Sequence, residues 1–336
     1  MNKKYRYIGL FSTLMPVLIV MVALISISYG TKSIPLETVI DALFYYDEDN
    51  IDHQIIWSGR IPRALAVLFG GAFLAAAGAI MQGVTRNFLA SPSIMGVTDG
   101  SAFFVTMAIV FLPGISSLNL VLLSMLGSLV GGALVFGFAS IIKNGLSPVR
   151  LAIIGTVIGT FISSIGTAIA MYYQVSQTIT MWYNSKVHNV SMELIYLCVP
   201  LGLIGLVLAV SLAGAVTITA LGEDVAVGLG QKTGTVKILS MLSVAILTGT
   251  AVALVGKIAF VGLVVPHIVR MLMGVDYRMI IPCSAVFGAF FLSMCDLISR
   301  YVNFPFETPI GVVTALIGVP FFLYLIRKKG GEKYAA

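Results

Sequence analysis

Apolar residues in this chain fall into long, nearly unbroken runs separated by short polar stretches. A helix needs about 20 such residues to cross a hydrocarbon core. Ten runs approach that length: 8–28, 64–81, 94–112, 118–142, 151–173, 192–220, 238–255, 256–270, 279–298 and 309–326. The first follows Lys3, Lys4 and Arg6, as a signal peptide would, but no clear small-residue cleavage site follows it, so a retained helix is expected. Between runs, 30–59 is polar and carries Asp47, Glu48, Asp49 and Asp52; it reads as an exposed loop with a short amphipathic helix over 35–44. The connection 174–191 is polar and amphipathic, and 221–237 is a polar interruption. The run 256–270 is the shortest. Pro266 removes a backbone donor, so a helix there should kink or end. Lys257 and Arg270 could reach headgroups from its two ends, while a buried core helix is the other reading of so short a run.

Composition selects the membrane reading. Of 336 residues, 58% are hydrophobic and only 10% charged, whereas soluble domains carry about 25% charged residues. The predicted fold class is all-α: a polytopic membrane protein of about ten helices, forming one transmembrane domain over residues 1–336. Small residues recur where helices should approach closely: Gly70, Gly71, Ala75 and Gly78, then Gly127 and Gly131, then Gly155 and Gly159. Cys198, Cys283 and Cys295 lie in apolar runs without metal-ligand spacing and read as packing residues. The net charge of +6 reflects topology rather than nucleic acid. With the N-terminus inside, all of the 20 lysines and arginines fall inside except Lys32, Arg60, Arg63, Lys186, Lys257 and Arg300. That bias places both termini in the cytoplasm. It leaves Arg60, Arg63 and Arg300 outside, where an acidic partner would explain them.

Catalytic and metal motifs are missing from the sequence. There is no Gly-x-x-x-x-Gly-Lys-Ser/Thr phosphate loop and no His-Glu-x-x-His, and no nucleophile–base pair is evident. Asp99 and Asp296 lie in apolar runs. A charge there is a candidate functional residue, and the alternative for Asp99 is a capped or wetted helix start. Asp296 can pair with Arg300 one turn on. Energy for any transport should therefore come from elsewhere.

Four ordered stretches resemble the permease family of ATP-binding-cassette importers for iron–siderophore complexes, haem and vitamin B12. They are Arg60-Ile61-Pro62-Arg63 continuing through Gly71, Gly78, Gln82, Asn87 to Ala90, Pro92, Gly96 and Gly100; the stretch 221–230; Gly256 to Arg270 with Gly274, Asp276 and Arg278; and Asp296, Arg300, Glu307 to Gly311 and Gly318 to Phe322. Phe88, Ser101 and the residues after Trp182 depart from the family pattern.

The resemblance implies a type II importer permease that pairs with an identical or homologous second subunit. Substrate would pass between the two. Two copies of an ATPase, which would hold ATP and Mg, would dock below, and an extracytoplasmic substrate-binding protein above. It assigns ATPase coupling to Leu221, Gly222, Glu223, Asp224, Ala226, Leu229 and Gly230. It assigns binding-protein docking to Arg60, Arg63 and Arg300. Pro266, His267 and Arg270 would shape the cytoplasmic end of the eighth helix; Asp296 would partner Arg300; and Glu307, Pro309 and Gly311 would start the tenth helix, where an acid suits the N-terminal dipole. The chain itself is expected to bind no cofactor, metal or nucleic acid and to catalyse no reaction. The expected cargo is a ferric siderophore, with vitamin B12 or haem as alternatives. An ion-coupled secondary transporter is the reading from a different class.

Overall fold

The computed structural model describes residues 3–334 except 31, 94, 143–147, 186, 188–189 and 305. Lys143, Lys186 and His188, and the side chains of Lys3, Lys4, Arg6, Lys328, Lys329 and Lys333, lie outside the described set. Among the described residues the fold is helical, without strands. In chain order the helices are α1 (Lys3–Ser28), α2 (Leu36–Phe44), α3 (Ile51–Ile55), α4 (Ile61–Val84), α5 (Val97–Phe111), α6 (Ser117–Ile141) and α7 (Pro148–Tyr172). They continue as α8 (Ser176–Ser185), α9 (Met192–Leu221), α10 (Glu223–Gly228), α11 (Thr233–Val255), α12 (Val261–Met273), α13 (Tyr277–Tyr301) and α14 (Ile310–Tyr334).

The hydrophobic runs and the helices coincide closely. The amphipathic helix expected over 35–44 is α2, whose Val39 and Ala42 are fully buried. One π-helical turn, Ile56–Arg60, joins α3 to α4. Six helical stretches among the described residues are long and apolar enough to cross a membrane: Ile51–Val84, Ser117–Ile141, Arg150–Tyr172, Met192–Leu221, Thr233–Val255 and Tyr277–Tyr301. Four apolar helices are shorter: Thr13–Ser28, Val97–Phe111, Val261–Met273 and Ile310–Tyr324.

Helix α4 is the axis of the bundle. From Gly70 to Val84 every residue is buried, against α13, α11, α9 and α12. Its small residues make this possible. A Cβ on Gly71 would overlap the Gly288 carbonyl of α13, and one on Gly78 would overlap the Gly262 carbonyl of α12. In lipid, helix association rests on such backbone approach more than on hydrophobic burial. The same device joins α5 to α6, where Gly100 meets Gly127 and Gly96 meets Gly131.

Two interruptions shape the interior. Between α11 and α12, Gly256 and Phe260 both take positive φ, 76° and 70°. Between α4 and α5, the chain runs through Gly96 at φ 70°. Helices α5 and α12, with 15 and 13 residues, extend only about 22 and 20 Å. Val255 packs on Gly70 and Gly262 on Gly78, both well inside α4. The break holding Lys257 therefore lies beside the middle of α4. This corrects the expectation that Lys257 reaches headgroups from a helix end.

Candidate functional site

At one end of the bundle, α1, α4, α13 and the segment before α14 meet around Asp296, which is 1% exposed. Arg63 donates from Nε and Nη2 to Asp296 Oδ1, at 3.1 and 2.7 Å, and pairs through Nη1 with Glu307 at 2.7 Å. Arg300 donates to the other carboxylate oxygen, and also to the Ser26 carbonyl at 2.8 Å and the Tyr29 carbonyl at 2.9 Å. Arg60 caps the end of α1, donating to the carbonyls of Ile27 (2.6 Å), Ser28 (2.8 Å) and Lys32. A carboxylate taking two guanidiniums at once suits the forked geometry of arginine.

The expected Asp296–Arg300 pair is present. The expected outward display of Arg60, Arg63 and Arg300 is corrected: they are 9%, 8% and 5% exposed, and their partners lie within the chain. The reason is the cost of an unpaired charge in a packed interior. Glu307 pairs with Arg63 just before α14, and Pro309 immediately precedes that helix. Gly311 lies in its first turn, with open space around it.

At the opposite end of α4, α10 forms a protruding element. Gly222, at φ 144° and ψ 146°, adopts a conformation closed to L side chains, and Gly230 follows at φ 78°. Gln231 holds the return of the chain by donating to Thr219 Oγ1 at 2.8 Å and to the Ala215 carbonyl at 3.1 Å. Leu221, Val225, Val227 and Leu229 are exposed, at 66%, 47%, 58% and 67%. Asp224 is exposed beside them, while Ala226 is fully buried and faces the subunit. Glu223 accepts from Lys237 at 2.7 Å. That hydrogen bond holds its carboxyl below the usual carboxylate range, against a smaller opposing effect of burial.

Helix α12 does not end at Pro266 but runs on to Met273. A proline frees the carbonyl four residues back, here that of Gly262. Gln82 of α4 covers it, its amide lying 3.5 Å from the Gly262 carbonyl and 3.2 Å from that of Leu263. Pro266 is thus supported mid-helix rather than at a helix end, which corrects its expected place. The ring of His267 meets Phe321 edge-on at 6.1 Å. Arg270 donates to Gln82 (3.1 Å) and Tyr277 Oη (2.8 Å) and lies 4.2 Å over the Phe88 ring. No group of three or more metal-ligating residues occurs among the described residues.

Beside the α11–α12 break, a cavity of about 640 Å³ is lined by α5, α7 and the break itself. Lys257 Nζ donates to Asp99 Oδ1 at 2.5 Å across it. The sequence flagged Asp99 but not this partner, 158 residues away. Thr156, Thr160, Ser163 and Thr167 of α7 also face this cavity. Their four- and three-residue spacing is visible in the sequence, beside the small-residue pair Gly155 and Gly159.

Comparison with known proteins decides what this assembly of features belongs to. Residues 18–328 match the FecCD transport family. The chain belongs to that family. It is 54% identical to the iron-uptake system permease protein FeuB of Bacillus subtilis, over 95% of each chain. It is 51% identical to the iron(3+)-hydroxamate import system permease protein FhuB of the same organism, over 91% of this chain and 80% of that one. A solved inward-facing structure of a metal-chelate type ABC transporter superposes with a TM-score of 0.79 at 30% identity, covering 96% of this chain and 99% of that one. This FecCD-family chain is a multi-pass membrane permease of an ATP-binding-cassette importer, a transport subunit rather than an enzyme.

Proposed function

We propose that this permease carries ferric siderophores across the cytoplasmic membrane, with ten crossings and both termini in the cytoplasm. The observation that carries the cargo is the likeness, at more than half identity and almost full length, to permeases named for iron uptake and iron(3+)-hydroxamate import. ATP and Mg belong to a separate ATPase, present in two copies. The second permease is an identical or homologous chain, and an extracytoplasmic binding protein delivers the cargo.

Helix α10 is the coupling element in this reading. Its exposed Leu221, Val225, Val227 and Leu229 offer an apolar ridge to an ATPase cleft, and the ion pair of Glu223 with Lys237 fixes its base. Arg60, Arg63 and Arg300 serve docking of the binding protein indirectly, by locking α1, α4 and α13 into one rigid outer platform. Uptake of radio-iron tests the cargo directly. Cells lacking this permease should regain uptake of a ferric siderophore when the chain is restored with its partners. Restored uptake of cobalamin or haem instead would sink the ferric reading.

A further inference from the structure

An ion pair deep in a membrane bundle requires an explanation beyond structure, because ionisable groups there are costly and usually line a wet path. Lys257 and Asp99 meet where two interrupted elements converge: the α11–α12 break and the short α5. Irregular backbone at such depth is tolerated where it is buried in protein or lines a cavity. Discontinuous helices commonly mark where transporters hold substrate. Phe260, which closes the break, takes φ 70°, a strained conformation for a bulky residue, and itself lines the cavity.

The pair is asymmetric. The Asp99 side chain is 11% exposed, pressed where a Cβ on Gly159 of α7 would overlap its carboxylate. The Lys257 side chain is 41% exposed and donates one hydrogen bond, to Asp99. An ammonium has three donors, so two remain beyond this bond, on a side chain that lines the cavity. Facing it, α7 carries two adjacent stripes. Ile153, Val157, Phe161 and Ile165 form an exposed apolar one, suited to lipid or to a second subunit. Thr156, Thr160, Ser163 and Thr167 form a hydroxyl one, turned into the cavity. Ser176 Oγ, buried at the far side of the same ion pair, has no partner among the described residues.

We propose that Lys257, held by Asp99 beside the hydroxyl stripe of α7, is the charge that recognises an anionic metal chelate inside the permease. This deepens the importer reading and rests on it. Asp99 is a positioning residue: it neutralises Lys257 while the path is empty and yields it to the cargo's oxyanions. Thr156 and Thr167 donate to the Ala152 and Ser163 carbonyls of their own helix, both at 2.9 Å, so those two hydroxyls offer neutral acceptors along the same face without trapping the chelate.

The test uses the solubilised permease–ATPase complex without its binding protein, and two probes: an anionic ferric tris-catecholate and an uncharged ferric trihydroxamate. Losing a hydrogen bond to a charged group weakens binding by about tenfold or more. Removing Lys257 alone strands Asp99 and risks misfolding, so the decisive variant neutralises both, Asp99→Asn with Lys257→Gln. Its affinity for the tris-catecholate should fall about tenfold relative to its affinity for the trihydroxamate, while Lys257→Arg retains the wild-type ratio. An unchanged ratio in the neutralised variant, or no binding of the tris-catecholate by the wild type, overturns the inference. Iron uptake by the wild-type importer is read in parallel. Uptake with an unchanged ratio sinks the Lys257 inference alone, whereas no uptake of either chelate sinks the importer reading as well.

Discussion

At the residue scale, Asp296 is the most consequential single side chain. It accepts from two buried arginines, and removing it leaves Arg300 without its carboxylate and Arg63 with Glu307 alone. Breaking such a buried pair from one side costs about 3–5 kcal/mol. Asp296→Ala should therefore lower the detergent unfolding midpoint sharply and reduce the amount of folded permease. A wild-type midpoint would show that the cluster adds no stability. Glu223 gives a pH prediction of the opposite kind, confined to one surface loop. Its lowered carboxyl pKa means the Lys237 contact is fully present above the ordinary carboxylate range. The contact is lost as pH falls through the lowered value. Hydrogen-exchange protection in α10, measured relative to the intrinsic exchange rate at each pH, should fall on acidification in that window, and Glu223→Gln should remove the step. An identical acid response in both proteins would detach the loop from this ion pair.

At the scale of the element, the helices were largely legible and the pairings were not. Apolar runs announced α1, α4, α6, α7, α9, α11 and α13 because length and hydrophobicity are local properties. The glycine positions announced close packing, and Gly71 with Gly288 and Gly100 with Gly127 bear it out. Burial direction was not legible. Arg60, Arg63 and Arg300 read as exterior charges because their compensation lies at Asp296 and in the carbonyls of α1. Lys257 read as a headgroup anchor because Asp99 is remote in sequence. Ala226 read as part of the docking surface although it faces inward. These residues now divide the coupling prediction. Leu229→Asp should leave the subunit folded and abolish stimulation of the ATPase by the loaded binding protein. Ala226→Arg should instead damage folding of α10 itself. Normal stimulation in Leu229→Asp would remove the apolar ridge from coupling.

For the whole molecule, the arginine cluster and α10 lie at opposite ends of α4, which predicts opposite sides of the membrane. Asp49→Cys should react with an impermeant thiol reagent in intact cells, and Asp224→Cys only after the membrane is opened. The native Cys198 and Cys295 are buried and give little background. The reverse pattern would invert the orientation.

The most direct measurement reconstitutes the permease with its ATPase and binding protein in liposomes, with α10 and the ATPase facing the nucleotide. Uptake of ferric siderophore should require ATP hydrolysis and persist when the proton gradient is collapsed. Uptake by the permease alone, driven by a proton gradient and indifferent to ATP, would contradict the account.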